Sequence, residues 1–434
     1  MNSKKIISVA VAGTLLVGVL GGCSSKLSVA EKSITAIINA KIFDGENLIS
    51  DTTVVIKDGI IQAVGGEIPA GATIIDANGG TLMPGLIDSH VHTDMDGLAD
   101  ALKFGITTEL EMQGRWSKGE RKKIAERNDI ADLRSPGMGI TAKGGHPTQY
   151  MENTNNLLIR YFYKFPSVST TDEAVKHVDK QISNGADYIK ILIEDGTAIG
   201  YPGLPVTSLE VASAAVDEAH RQDRMAIAHV TTIEGTKEAL YAGVDGLAHL
   251  FFDLPHTTEI IDAIKDSGVF VIPTLVVAST AFGNDAAWLA ADVRVNARLN
   301  QTWLDSLSES ANVYPEGKLE DSFASVKALH DAGVDILAGC DVSEPIPGLG
   351  GLAHGASLHH ELQLLVEAGL TPTEALRAAT SVPARRFSLD DRGRIVPGAV
   401  ADLFLVSSDP LTNISDTLNI LAVWHRGERL GPNK

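Results

Sequence analysis

The chain has 434 residues, 44% of them apolar, which is enough to bury a large core. Its formal net charge of −19 disfavours a nucleic-acid binder, which would carry a basic face. An acidic balance of this size speaks for solubility and says nothing about fold.

At the start of the chain, Lys4 and Lys5 form a positive n-region. The apolar stretch Ile6 to Leu20 is too short for a comfortable membrane span. The following "LGGCSS", Leu20 to Ser25, resembles a bacterial lipoprotein lipobox, with cleavage before Cys23 and lipid added to that cysteine. Residues 1–22 are therefore expected to be a lipoprotein-type signal peptide, with an ordinary secretory signal as the alternative. Ser24 points, by sorting rules, to the outer membrane, with the protein facing the periplasm or the surface. Cys340 is the other cysteine of the chain, so no internal disulfide is expected after export. Residues 23–32 read as a polar tether.

From residue 33 to 82, β-branched runs alternate with Asp-Gly, Gly-Gly and Asn-Gly turns, the pattern of antiparallel hairpins. The same signature returns within residues 392–434, in "GRIVPGAVADLFLVSSD" and "ILAVWHRGERL". The two chain ends are expected to build one small β-sandwich together.

Between them, residues 83–391 alternate apolar strands with helical segments, the sign of parallel βα units. The predicted strands are Leu82–His92, Ile106–Met112, Met138–Lys143, Tyr188–Ile193, Met225–Val230, Gly246–Phe251, Val269–Val276 and Val334–Gly339. Two intervening helices open on capping-box patterns, Thr207 with Glu210 and Thr371 with Glu374, the latter with Pro372 at its first position. Eight such repeats predict an α/β fold, a (β/α)8 TIM barrel, whose chemistry sits at the C-terminal ends of its strands. Three connections on that side are too long to be plain turns: 113–133, with the basic "KGERKK", 144–170 and 278–321, the last two rich in aromatics. Lid, pocket, subunit contact or simple core cover are the uses open to them.

Polar residues recur at the strand ends. His90 and His92 are two apart, so in a strand both point to one face. Lys190 lies in the apolar run Tyr188–Ile193, where an isolated charge would cost several kcal/mol. His229, His249 and Asp341 end the fifth, sixth and eighth strands. Six such residues converge on one mouth. His177, His220 and His330 fall on helices and His359 and His360 at a helix start, which reads as solvated or structural.

The segments "TLMPGLIDSHVH", "AHLFFD" and "GRIVPGAVADLFLV" resemble the amidohydrolase superfamily, in its imidazolonepropionase-like and prolidase-like branch. The resemblance runs from about Ile38 to Leu430. It implies two divalent metal ions per subunit, usually zinc, with His90 and His92 on one and His229 and His249 on the other. Asp341 matches a ligand of the first metal that is also the proton shuttle. Lys190 matches a lysine carboxylated by CO2 that bridges the pair. Physically this fits, because neutral imidazoles and carboxylates suit zinc. A lysine beside two dications is also driven toward its neutral amine, which can capture CO2. The implied reaction is attack of a metal-bridging hydroxide on an amide carbonyl. Asp341 would take the proton and pass it to the departing amine, and His249 and His146, in "AKGGHPTQY", would help to hold the carbonyl oxygen.

Several relatives carry a tyrosine two residues after the strand-five histidine; here that position is Thr231, so their recognition of a substrate carboxylate does not transfer. Tyr150, Lys143 and Arg160 are the candidate substitutes. The expected substrate is a small molecule, an N-acyl amino acid or dipeptide-like amide, with a cyclic amide or lactone as the alternative. A Schiff-base lyase using Lys190 would leave four histidines unexplained. A non-enzymatic lipoprotein that binds metal or a partner is opposed by the complete ligand set. The expected contacts of the protein are its substrate, no nucleic acid, and the membrane through the lipid on Cys23. Relatives often assemble, which leaves a homo-oligomer open.

Overall fold

The β-branched runs at the two ends of the chain do meet. The computed structural model describes residues 34–50, 52–152, 165–345 and 348–431; the signal segment, Cys23, the tether and Arg160 lie outside the described residues. One four-stranded sheet has the order β5-β4-β1-β6, from Ile34–Ile38 (β1), Val54–Lys57 (β4), Ile60–Val64 (β5) and Thr73–Asp76 (β6). Asp58 and Gly59 close the β4–β5 hairpin with φ of 56° and 81°, the left-handed pair that a type I′ turn requires. A Cβ on Gly59 would also meet the Arg426 carbonyl oxygen at 2.8 Å, so glycine is needed there twice over.

A six-stranded sheet interleaves both chain ends. It joins Lys41–Phe43 (β2), Leu48–Ile49 (β3) and Thr81–Pro84 (β7) to Leu403–Val406 (β15), Ile420–His425 (β16) and Glu428–Arg429 (β17), in the order β17-β16-β15-β7-β2-β3. Both sheets feed one apolar cluster, with Ile37, Val54, Ile56 and Ile61 from the first and Ile42, Leu82, Leu403, Leu405 and Trp424 from the second.

The middle of the chain is α/β. Leu86–Val91 (β8), Ile106–Glu111 (β9) and Asp132–Arg134 (β10) form one parallel ladder. Ile189–Leu192 (β11), Ala226–His229 (β12), Gly246–Ala248 (β13) and Phe270–Ile272 (β14) form another. Single parallel bridges, Ile140 to Ile191, Val271 to Ile336 and Val91 to Val342, link these ladders to the segments around Ile140 and Ile336 to Val342. One face of the strands buries Ile87, Leu110, Tyr188, Ile227, Phe270 and Leu337 together. Flanking helices cover the other face in a larger cluster.

Three local expectations need correcting. The predicted third strand, Met138–Lys143, keeps only isolated bridges at Ile140 and Thr141, and the regular strand is Asp132–Arg134. Between them lie Pro136, which lacks a ladder N–H, and Gly137, with φ of 71°. The eighth segment is bonded irregularly: Leu337 N donates to Val271 O and Ser89 N to Ala338 O, each at 2.9 Å or less. The cap of the helix Leu209–Arg221 is Ser208, which accepts from Val211 N, whereas Thr207 donates its hydroxyl to Leu192 O. The capping box of Thr371 and Glu374, with Pro372 behind it, is as expected. Among the described residues, no helix is long and apolar enough to cross a membrane.

Candidate metal centre

His90, His92, His229 and His249 sit at, or just beyond, the C-terminal ends of parallel strands, Lys190 is inside β11, and His146 and Asp341 lie in the irregular segments around the Ile140, Ile336 and Val342 bridges. The ends converge. Asp341 Oδ1 lies 2.9 Å from His90 Nε2 and 3.1 Å from His92 Nε2, and Asp341 Oδ2 lies 3.7 Å from His249 Nε2. The rings of His90 and His249 are 4.7 Å apart between centroids, and those of His229 and His249 4.6 Å. Ligand atoms of His90, His249 and Asp341 all fall within 4.8 Å of one another.

To aim side chains into the mouth, the backbone bends. His249, Thr274 and Asp341 hold φ of 78°, 47° and 52°, a left-handed conformation uncommon in residues other than glycine. Each such residue costs about 1–3 kcal/mol, and such positions cluster at functional sites.

The convergent groups do not satisfy one another. Both ring nitrogens of His90, the Lys190 Nζ and Asp341 Oδ1 are buried without a hydrogen-bond partner among the described residues. An unsatisfied buried group costs about 1–3 kcal/mol, and native proteins keep few of them. Imidazole nitrogens and carboxylate oxygens around one point are the donor set of a divalent ion such as zinc, so the residues fit that group.

Electrostatics favours the ligating forms. Burial drives His90 and His229 down to about 3, and His249 well below its ordinary value. Neutral imidazole, the form that binds metal, is therefore maintained. In His92 burial also lowers the pKa, but the Asp341 carboxylate 3.1 Å away outweighs that and raises it. Burial pushes the Lys190 ammonium down to about 7, against the pull of Asp341. Asp341 is raised by burial and lowered by His90 and His249, which win and hold it well below the usual carboxylate range.

A second layer of groups, absent from the sequence reading, orients the first. His249 Nδ1 meets Thr274 Oγ1 at 2.7 Å, and His92 Nδ1 meets the Gln113 carbonyl at 3.2 Å. Asp88 Oδ1 accepts the backbone N–H of His90 and of Cys340, each at 3.1 Å. Glu361 accepts from Leu275 N and Val276 N, at 3.0 and 2.9 Å, beside Thr274. Glu194, two residues beyond β11, approaches His229. Of these, Asp88 and Glu194 had a signal: each is a carboxylate within four residues of a predicted ligand on an apolar strand.

His146 stacks on His229 with centroids 4.6 Å apart, and its Nδ1 is 2.8 Å from Gln149 Nε2. Tyr150 packs edge-on to His146, and Tyr201, which the sequence reading did not single out, packs edge-on to Tyr150. Thr231 is buried and bonded to Glu194, and Lys143 is exposed.

A second carboxylate–histidine group, Asp132, Asp402 and His425, is of another kind. Arg392 Nη1 lies 2.5 Å from Asp132 and 3.8 Å from Asp402, and Arg426 also bonds Asp132. Guanidinium groups already supply the positive charge there.

The profile of the amidohydrolase family matches residues 81–430. Ochratoxinase of Aspergillus niger is 25% identical over 445 aligned positions, covering 90% of this chain and 85% of its own. Imidazolonepropionase of Idiomarina loihiensis is 25% identical, covering 84% and 87%. A crystal structure of a Xaa-Pro dipeptidase superposes with a TM-score of 0.71 at 24% identity, covering 92% of this chain and all of that one.

Proposed function

The chain belongs to the amidohydrolase family, and we propose that it is a binuclear metal-dependent hydrolase that cleaves the amide C–N bond of an N-acyl amino acid or dipeptide-like substrate. The observation that carries this reading is the set of buried, mutually unsatisfied donors on His90, Lys190 and Asp341. We read residues 83–391 as a (β/α)8 barrel, a closure supported by the bridges through Ile140, Ile336 and Val342. Residues 33–82 and 392–434 are then its β-sandwich, supported by their shared core.

In this reading His90, His92 and Asp341 would hold one ion, and His229 and His249 the other. Lys190 would contribute to both as a carbamate, formed when its free amine adds CO2 and loses a proton. Two divalent ions, zinc by donor type, would supply Lewis-acid polarisation of the carbonyl and an acidified water.

The chain's own groups supply the rest. Asp341 faces the mouth at the point where the histidines converge, so it can take the proton of the attacking water and return it to the leaving nitrogen. His146, held neutral at about 3 by burial and by His229, can donate to the carbonyl oxygen through one ring nitrogen. A cyclic amide or lactone is the second reading. It is favoured by Thr231, whose hydroxyl donates to Glu194 and so is not free to donate to a substrate carboxylate. The lipobox reading makes the protein an exported lipoprotein anchored through Cys23, a proposal that rests on the sequence alone.

A screen of the purified protein against N-acyl amino acids, dipeptides, cyclic amides and lactones tests the assignment. Turnover of an acyclic amide that stops on chelation supports the first reading. Turnover restricted to rings transfers it to the second, and turnover unaffected by complete metal removal overturns both.

A further inference from the structure

We propose that Glu194 is a positioning residue of the metal centre: it takes the Nε2–H of His229 and thereby assigns Nδ1 of that ring as the nitrogen that ligates. This rests on the binuclear reading above.

Glu194 is 3% exposed and both its oxygens are engaged. Oε1 accepts the Gly196 N–H at 2.7 Å. Oε2 accepts the Thr231 hydroxyl at 2.5 Å and lies 3.1 Å from His229 Nε2. The anchor at Gly196 is itself fixed. That residue has φ of 84°, and a Cβ on it would stand 1.8 Å from the Tyr201 carbonyl oxygen, so neither the loop nor the glycine can be exchanged freely. A carboxylate held on three sides is not a substrate contact. It is a fixed acceptor for one ring nitrogen.

His229 differs from its neighbours in which nitrogen is held. His249 and His92 are engaged at Nδ1, by Thr274 and by the Gln113 carbonyl, and turn Nε2 toward Asp341. His229 is engaged at Nε2. A neutral imidazole carries one N–H, so the nitrogen that donates to the protein cannot also ligate. The two histidines assigned to one ion thus present opposite nitrogens, and Glu194 and Thr274 select them. A separate bond to the same Glu194 oxygen uses up the hydroxyl of Thr231.

The test compares zinc-loaded wild type with Glu194→Gln, Glu194→Ala and Thr231→Val. Bound zinc is measured by mass spectrometry after dialysis against graded chelator, and the Tm of each metal-free protein is recorded. Glu194→Gln is expected to release one zinc at a chelator activity about 10–100-fold lower than wild type, while keeping the other. Glu194→Ala should do so at least as readily, and Thr231→Val, which leaves the His229 bond in place, should hold both. A purely structural role would lower the Tm and loosen both ions together, and that result overturns the proposal. So does a Glu194→Gln protein that holds both ions as wild type does, while the binuclear reading survives. A wild type that binds no zinc overturns the binuclear reading itself, and this inference falls with it.

Discussion

His90 and Asp341 are joined twice. The Asp341 backbone N–H donates to the His90 carbonyl oxygen at 2.6 Å, and the Asp341 Oδ1 stands 2.9 Å from His90 Nε2. The first contact is a backbone bond between β8 and the segment that follows Ile336. In the second, both atoms are buried and neither has a hydrogen-bond partner among the described residues. The backbone bond fixes the spacing that the side chains, by themselves, would not choose. An ion bound between them would give both atoms a partner, and the predictions follow from that.

Lys190→Ala should lose metal and activity together. A short carboxylic acid added to the variant should restore part of the activity, by standing in for the carbamate. Full activity in the untreated variant would exclude a bridging role.

Lys190→Met should have a different effect on the metal-free protein. The buried amine has no hydrogen-bond partner among the described residues, so replacing it by an apolar chain of similar length should raise stability by about 1–3 kcal/mol. Denaturant unfolding after exhaustive chelation reads this directly; a lower midpoint would mean that the amine is satisfied in the absence of metal.

Asp341→Asn should reduce kcat by about 10²–10⁴-fold, the range of a lost general acid–base group, with a smaller change in KM. Steady-state kinetics at saturating zinc separates the two. A rise in KM with kcat unchanged would make Asp341 a binding group.

Thr274→Val should weaken metal retention by about 10-fold or more, because His249 loses the partner of its Nδ1. Thr274→Ser keeps the hydroxyl and should keep the metal. Equal retention in Val and Ser variants would show that the ring is oriented by packing alone.

Arg392→Met should leave metal content unchanged and cost about 3–5 kcal/mol, since it strands Asp132 and Asp402 in a buried network. Asp132 is raised by burial, but His425, Arg392 and Arg426 outweigh that and hold it well below its ordinary value. A depressed carboxylate contributes stability above its unfolded pKa, about 4, and loses it as pH falls through the folded value. The wild type should therefore lose stability below about pH 4, and the variant should lose less over that interval. Asp402, which burial pushes up, contributes the opposite slope at higher pH. Tm measured against pH for both proteins checks the sign.

How much of this could be read from the chain depended on whether a feature is local. The candidate ligands could be picked out because strand periodicity places His90 and His92 on one side, and because Lys190 is anomalous in an apolar run. The alternation of turns and β-branched runs at both ends likewise foretold strands that pair with each other, as Phe404 does with Met83. The third strand was not legible in place: Ile140 to Lys143 has strand-like residues, but Pro136 and Gly137 interrupt the ladder ahead of it. Thr207 and Ser208 are equally good caps, and the choice was made by a tertiary acceptor, the Leu192 carbonyl. Glu194, Thr274 and Glu361 act across 25 to 86 residues of sequence, and no local pattern encodes such a meeting.

The most direct measurement is a zinc titration of the metal-free protein with activity followed at each step. Activity should rise from baseline and saturate at about two equivalents per chain, with loss of the second equivalent in Lys190→Ala. Full activity in metal-free protein, or no zinc uptake by a folded wild type, would contradict the binuclear centre.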